Sequence, residues 1–487
     1  MELSPDECYR ALTVRDARFD GRFFTGVKTT GIYCRPICRV RLPLRQNVTF
    51  FSNAAAAEAA GFRACRRCRP DAAPSTPAWV GTSATVYRAL RLISEGALDV
   101  GGLADLSERL GMGDRQLRRL FREHLGTTPL QFAQTRRAHF ARHLIDSTEF
   151  PMSRIATITG FGSIRRFNEV MRKSFGCPPS ELRKTASGAN GRLRLRVSVR
   201  QPFSYDTVLA FIAPRAIPGI ERVVSGCYVR TVSIQDAVGE LVAEYCPGDQ
   251  TIELVVSESL CDHLFAVVNG IRRLFDVDAD LGAIGKQLRT DRVLRRAIAQ
   301  PKDVRVPGVF DRFEGAIRAI LGQQVSVKSA TTLAGRLVER YGTPIHSQTP
   351  GLSHIFPRPE RLCRARIENI GIPRQRADTI RVFARRVASG ELALDASSSL
   401  QDTLEALSDV RGIGPWTANY LAMRIYREPD AFPAVDLGIR KALSKNGALL
   451  STKQAELLAE AWRPWRAYAA MSLWQALGTR ASQPHPS

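Results

Sequence analysis

The sequence predicts a multidomain protein, mainly α with α+β parts. Three observations carry this. Two close cysteine pairs lie near the N-terminus, a helical segment is written twice at an offset of 50 residues, and a stretch of period-two alternation interrupts otherwise helical patterning. At 487 residues the chain exceeds one ordinary core, and 44% apolar residues can fill several. The formal charge is +23, and residues 1–190 hold 30 basic against 17 acidic side chains, so positive charge runs along the whole chain. A spread of that kind favours a polyanion partner over a merely solvated surface. The opening "MELSPDECYRALTVRDARFD" is too charged for a signal peptide, and no run approaches the ~18 apolar residues of a membrane helix. A cytoplasmic protein with no membrane partner is expected. There, clustered cysteines point to metal or reactivity and not to disulfides.

The first element is the cysteine segment. "TTGIYCRPICRVR" (29–41) carries Cys34 and Cys38, and "GFRACRRCRPD" (61–71) carries Cys65 and Cys68. This spacing is compatible with one tetrahedral Zn²⁺ held by four thiolates, and by itself leaves open a purely structural site. Such a centre keeps two net negative charges and repels phosphate, which Arg35, Arg41 and neighbouring arginines would offset. A thiolate near DNA can attack a methyl group on an uncharged phosphotriester, whereas a phosphodiester is protected by its own charge. Methylation then removes one negative charge and strengthens DNA binding. Cys8, Cys177, Cys227, Cys246, Cys261 and Cys363 stand singly and read as packing residues.

After a linker at 71–78, "DAAPSTPA", the duplicated segment follows. "LRRLFREHLGTTP" (117–129) and "FNEVMRKSFGCPP" (167–179) share Arg122/Arg172, Gly126/Gly176 and Pro129/Pro179. A short helix and a glycine-containing turn precede each copy, which is helix-turn-helix grammar written twice. The second helices offer Arg118, Arg119, Arg165 and Arg166 to DNA; two purely structural hairpins are the alternative. The repeat resembles the AraC-type DNA-binding domain. His139 and His143 sit at i, i+4 in "HFARH" without the glutamate of a zinc protease, so a solvated helix face is expected.

The stretch from "FFTGVKTTGIYCRPIC" to "GFRACRRCRPD" resembles the Ada methylphosphotriester-repair proteins, whose N-terminal domain also continues into an AraC-type domain. The likeness covers about residues 1–185. It implies that Cys34 accepts the methyl irreversibly and that the methylated protein activates transcription, with RNA polymerase as a partner. The Pro-Cys-His-Arg site of family members that also repair alkylated guanine does not occur, so that activity is expected to be absent.

Another break is expected at 187–192. "LRLRVSV", "CYVRTVSI" and "TIELVVS" then read as strands, and helical signals return after about 304. In "LSDVRGIGPWTANYLAMRIY" (407–426), Gly412 and Gly414 permit a tight turn whose amides hold a phosphate without base readout, or simply join two helices. Asp436 in "AFPAVDLGIRKAL" is a helix N-cap or a catalytic carboxylate. Together these motifs resemble the helix-hairpin-helix DNA glycosylases, and flanking text such as "FEGAIRAILGQQVSVKSATT" points to their AlkA-type 3-methyladenine branch. That resemblance implies a flipped base in an aromatic cleft, Asp436 stabilising the sugar cation, and no cofactor. Trp416, Tyr420 and Trp474 are the candidate pocket walls, with core packing as their alternative. Trp416 stands where strand-cutting relatives carry a lysine, so monofunctional hydrolysis is expected. Gln324 stands where relatives often carry an apolar DNA wedge.

The expected domains are therefore 1–76 (Ada-type zinc and methyl acceptor), 80–185 (AraC-type double helix-turn-helix), 193–304 (AlkA-type antiparallel-sheet auxiliary domain) and 305–482 (all-α glycosylase). The expected partner is double-stranded DNA, and the expected state a monomer. The rival reading is a DNA-binding regulator with a structural zinc and a non-catalytic glycosylase-like domain.

Overall fold

The computed structural model describes residues 3–16, 19–65, 67–68, 70, 84–183, 192–298, 304–395, 398–444 and 448–481. The expected linker at 71–78, most of the break at 187–192, Arg66 and Arg69 lie outside them. The chain divides into two compact units, Met1–Gln201 with Ile234–Asn269, and Pro202–Ser233 with Gly270–Ser487.

The first unit begins with a helix over Pro5–Thr13, started by a reciprocal Ser4–Glu7 capping box. A four-stranded sheet follows, built from β1 (Phe24–Val27), β2 (Ile32–Cys34), β3 (Val48–Phe51) and β4 (Arg63–Ala64) in the order β3-β1-β2-β4. Its β2–β4 pair is parallel and sets Tyr33 opposite Ala64. Each of those residues immediately precedes a cysteine, so this register brings Cys34 and Cys65 together. Helix α1 (Ala54–Ala59) links β3 to β4 and is N-capped by Asn53.

The duplicated segment folds as α2 (Leu103–Arg109), α3 (Asp114–Leu125), α4 (Pro129–Ser147), α5 (Met152–Ile158) and α6 (Ile164–Phe175). Helices α3 and α6 occupy equivalent positions in the two copies. Each ends at a left-handed glycine, Gly126 (φ 65°) and Gly176 (φ 74°), where a side chain would be strained. Leu117 and Phe121 in one copy, and Phe167 and Met171 in the other, bury an i, i+4 face, leaving the arginines outward. Burying each such side chain contributes about 2 kcal/mol.

The expected solvated face at His139 and His143 is corrected, because α1 and the strand Arg192–Ser198 both pack against α4. His139 Nε2 lies 3.3 Å from Glu58 Oε1 on α1, and His143 Nε2 accepts from the Arg196 amide at 3.3 Å. Among the single cysteines, Cys8, Cys177 and Cys261 are buried as expected, whereas Cys227, Cys246 and Cys363 are half-exposed. Strands Arg192–Ser198, Thr251–Ser257 and Ala237–Cys246 run antiparallel, and Leu195, Ile252, Leu254 and Val256 form their alternating buried face.

The second unit holds a helix over Tyr205–Ile212 and a hairpin of strands Glu221–Val224 and Cys227–Ile234. The rest is mainly helical: α7 (Arg312–Leu321), α8 (Val327–Tyr341), α9 (Leu400–Ser408), α10 (Pro415–Arg424), α11 (Leu437–Leu443) and α12 (Arg466–Ala481). Ile317, Leu337, Phe383 and Leu421 belong to one buried core that joins α7, α8 and α10. Both units match the predicted mixture of helices and small sheets. No described helix is long and apolar enough to cross a membrane.

Candidate functional sites

In the first unit, the Sγ atoms of Cys34, Cys38, Cys65 and Cys68 all lie within 4.8 Å of one another. Tetrahedral Zn–S bonds place sulfurs about 3.8 Å apart, so the cluster fits one zinc ion. None of the four cysteines forms a disulfide, so all four sulfurs are available to a metal. Arg35, expected at DNA, instead braces the cluster. Its Nε donates to Asp20 Oδ1 at 2.8 Å, its Nη1 to the Cys68 carbonyl at 3.3 Å, and its backbone amide to Cys68 Sγ at 3.4 Å. Arg41 is exposed.

The four sulfurs are not equivalent. Cys68 receives the Arg35 amide, Cys38 the Val40 amide and Cys65 the Cys68 amide. Among the described residues, no backbone amide donates to Cys34 Sγ. Each N–H donated to a thiolate draws off lone-pair density, which sets the Cys38, Cys65 and Cys68 sulfurs apart from that of Cys34 among the described residues. It is also buried, at 5% exposure, whereas Cys68 is half-exposed.

Arg118, Arg119, Arg165 and Arg166 are exposed on α3 and α6. Arg166 is partly engaged, donating to Glu169 at 3.0 Å and to Gln134 at 3.1 Å.

In the second unit, Gly412 makes the turn between α9 and α10 with φ +94°, and a Cβ there would collide with Thr379 Oγ1. Gly414 N-caps α10, and a Cβ added to it would meet nothing within 4 Å, which leaves the backbone open to a phosphate. Pro415 follows at the first helical position, where its missing amide costs nothing. Gln324 adopts φ +56° in the exposed loop between α7 and α8. Its neighbour Gln323 anchors that loop to the turn, donating to the Gly412 carbonyl at 2.9 Å and Thr417 Oγ1 at 3.0 Å.

A cavity of about 990 Å³ opens beside this turn, and Asp436, Trp416, Tyr420, Trp474 and Gln324 line it. Asp436 is the N-cap of α11 and also lines the cavity. Its Oδ1 caps α11 through the Ile439 amide at 2.8 Å, and the same carboxylate accepts Trp416 Nε1 at 2.8 Å and Trp474 Nε1 at 3.0 Å. Three donors fix its orientation. Trp416 stacks on Tyr420 with centroids 5.1 Å apart and planes 10° apart, and Trp474 lies 6.3 Å from Tyr420 at 50°. The indoles thus form a π-rich wall and aim the anion in one stroke.

Sequence reading missed the inner end of this cavity. Arg215 lies 3.8 Å and Arg424 4.7 Å from the Phe211 ring centroid, and Arg424 Nη1 donates to Tyr420 Oη at 2.9 Å. Burial first of all pulls Arg424 down to about 10; Tyr420 opposes this, while Arg215 and Arg318 add repulsion. Buried Glu221 and Glu314 balance the charge, with Arg318 Nη1 2.6 Å from Glu221 and Arg230 Nη2 2.7 Å from Glu314. Single arginines carry no sequence mark that separates these buried ones from a DNA-facing set.

Residues 7–71 match the metal binding domain of Ada, 106–185 a helix-turn-helix domain, 194–311 the AlkA N-terminal domain, and 317–467 the HhH-GPD superfamily of base excision DNA repair proteins. A Mycobacterium tuberculosis protein named probable bifunctional transcriptional activator/DNA repair enzyme AlkA is 41% identical, covering 97% of this chain and 96% of its own. The Escherichia coli bifunctional transcriptional activator/DNA repair enzyme Ada is 38% identical over 30% of this chain and 40% of its own length. The solved 3-methyladenine DNA glycosylase of Archaeoglobus fulgidus shares the fold, with TM-score 0.50 at 21% identity, over 59% of this chain and 99% of that one.

Fold and sites together define a DNA-binding, zinc-binding repair protein: a helix-turn-helix regulator joined to a helix-hairpin-helix glycosylase, a hydrolase. The chain belongs to the family of bifunctional transcriptional activator/DNA repair enzymes of the AlkA type.

Proposed function

We propose that the chain carries out two separate repair reactions on alkylated DNA, one in each unit, and that the first also switches on transcription. Cys34 takes the methyl of a DNA methylphosphotriester: an S–CH₃ bond forms, the O–CH₃ bond breaks, and the phosphate leaves as an ordinary diester anion. A zinc ion held by Cys34, Cys38, Cys65 and Cys68 would keep their sulfurs deprotonated. Cys34 carries the nucleophilic role because, among the described residues, no amide competes for its lone pairs. Uptake of the methyl lowers the negative charge beside the DNA, and Arg118, Arg119, Arg165 and Arg166 then hold an operator for RNA polymerase recruitment by a monomer.

In the second unit a flipped alkylated base such as 3-methyladenine stacks against Trp416, Tyr420 and Trp474. Its cationic ring needs no proton to leave. Asp436 stabilises the sugar cation as the N-glycosidic bond lengthens, and its fixed carboxylate orients the attacking water. Gly412 and Gly414 present the phosphate-holding turn, and Gln324 fills the space the base vacates.

The observation that carries this reading is Asp436 itself, held by two indole N–H groups on the wall of an aromatic cavity beside the Gly412–Gly414 turn. The test incubates purified protein with duplex DNA bearing a radiolabelled methyl, counting protein-bound label and released bases separately. Label in both fractions is expected. Label on protein alone would reduce the second unit to a binding module, label in bases alone would make the cysteines structural, and label in neither would leave a regulator.

A further inference from the structure

The methyl-acceptor segment and the helix-turn-helix pair meet within the first unit at one acidic side chain. Glu58 lies on α1, in an otherwise all-alanine helix, with only 15% of its side chain exposed. Tyr33 Oη donates to its Oε1 at 2.8 Å, and Thr135 Oγ1 donates to its Oε2 at 2.8 Å. Ser174 Oγ reaches Oε2 at 3.4 Å, and His139 Nε2 sits 3.3 Å from Oε1 and 3.2 Å from Tyr33 Oη. One carboxylate therefore ties β2 to both α4 and α6.

What stands at the two ends of this hub gives it meaning. Tyr33 is fully buried and immediately precedes Cys34. On the other side, α1 and β4 rest on the C-terminal ends of α3 and α6. Asn53 Nδ2 donates to the Leu125 carbonyl at 3.0 Å, a Cβ on Gly126 would lie 3.6 Å from Ala56, and Arg63 covers Gly176. The acceptor cysteine and both arginine-bearing helices are thus referred to one short helix whose small side chains permit close approach.

We propose that Glu58 is the positioning residue that couples the four-cysteine site to the DNA-binding helices. By fixing their mutual geometry it lets both engage one DNA segment, so a charge change at Cys34 adds to the binding by α3 and α6 instead of acting alone. The functional half of this proposal rests on the methyl-transfer reading; the mechanical half does not.

The test uses the full zinc-loaded chain, with Glu58→Leu and Tyr33→Phe as variants. Hydrogen exchange is read over α4 and α6 with zinc bound and after chelation. In the parent chain, chelation should speed exchange in both helices. In Glu58→Leu that response should be lost, and in Tyr33→Phe, which deletes one hydroxyl and keeps the ring, it should shrink. Parent helices that ignore zinc, or a Glu58→Leu chain that keeps the full response, would overturn the coupling; if Glu58→Leu loses helix content, Tyr33→Phe decides in its place. Duplex affinity is then compared before and after methyl uptake. Glu58→Leu should still take the methyl but lose the gain in affinity, and an unchanged gain would sink the proposal. A parent chain that takes up no methyl would defeat the methyl-transfer reading alone, and the exchange result would still decide the coupling.

Discussion

The two anions proposed to act on DNA are handled in opposite ways. Asp436 is given three N–H donors, from Trp416, Trp474 and the Ile439 amide. Among the described residues no backbone amide donates to Cys34, while Cys38, Cys65 and Cys68 each receive one. The contrast follows from the jobs proposed for them. A charge that stabilises a cation must stay where it is aimed, so donors help it. A charge that forms a bond must have lone pairs free, so donors hinder it.

The sharpest way to break the comparison is to remove each anion in turn. Cys34→Ser should abolish methyl uptake while base release proceeds at the parent rate, as read in the two-fraction label assay. Asp436→Asn should do the reverse, cutting base release by about 10²–10³-fold. Loss of both activities in either variant would contradict two independent sites.

Smaller changes sharpen it. Trp474→Phe keeps a ring in the wall but deletes one donor to Asp436, and single-turnover base release should fall by about tenfold, the worth of one hydrogen bond to a charged group. Gly412→Ala meets both a positive φ and Thr379, and should cost about 1–3 kcal/mol in a denaturant melt of the second unit. Gly414→Ala has open space around it, so the melt should barely move while duplex affinity weakens. Chelating zinc should lower the melting of the first unit only, since no described cysteine cluster of this kind lies in the second.

Much of this was legible in the sequence, for identifiable reasons. The cysteine spacing announced a metal site, and the parallel β2–β4 register that joins the two pairs is the simplest way to close it. The repeat placed α3 and α6 because the identical glycines mark positions only a left-handed C-cap explains. Asp436 was singled out as cap or catalyst, and the structure shows the cap together with two indole donors that leave the proposed catalytic role compatible with it.

What the sequence hid was tertiary. Arg35 looked like one more basic residue beside the cysteines, yet Asp20, fifteen positions earlier, draws it inward. Arg215 and Arg424 were indistinguishable from surface arginines until the fold wrapped them around Phe211. Glu58 sat in an alanine run with no motif about it, and its partners come from positions up to 116 residues away. Each case turns on which distant group supplies the counter-charge or donor, and local pattern carries no record of that.

One measurement tests the central contrast most directly. After incubation with duplex carrying a methylphosphotriester, the protein is digested and the methyl is mapped among Cys34, Cys38, Cys65 and Cys68 by mass spectrometry. If withheld donors select the nucleophile, the methyl lies on Cys34 despite its burial. A methyl on Cys68, the more exposed residue, would mean that access and not hydrogen bonding chooses, and would contradict the account.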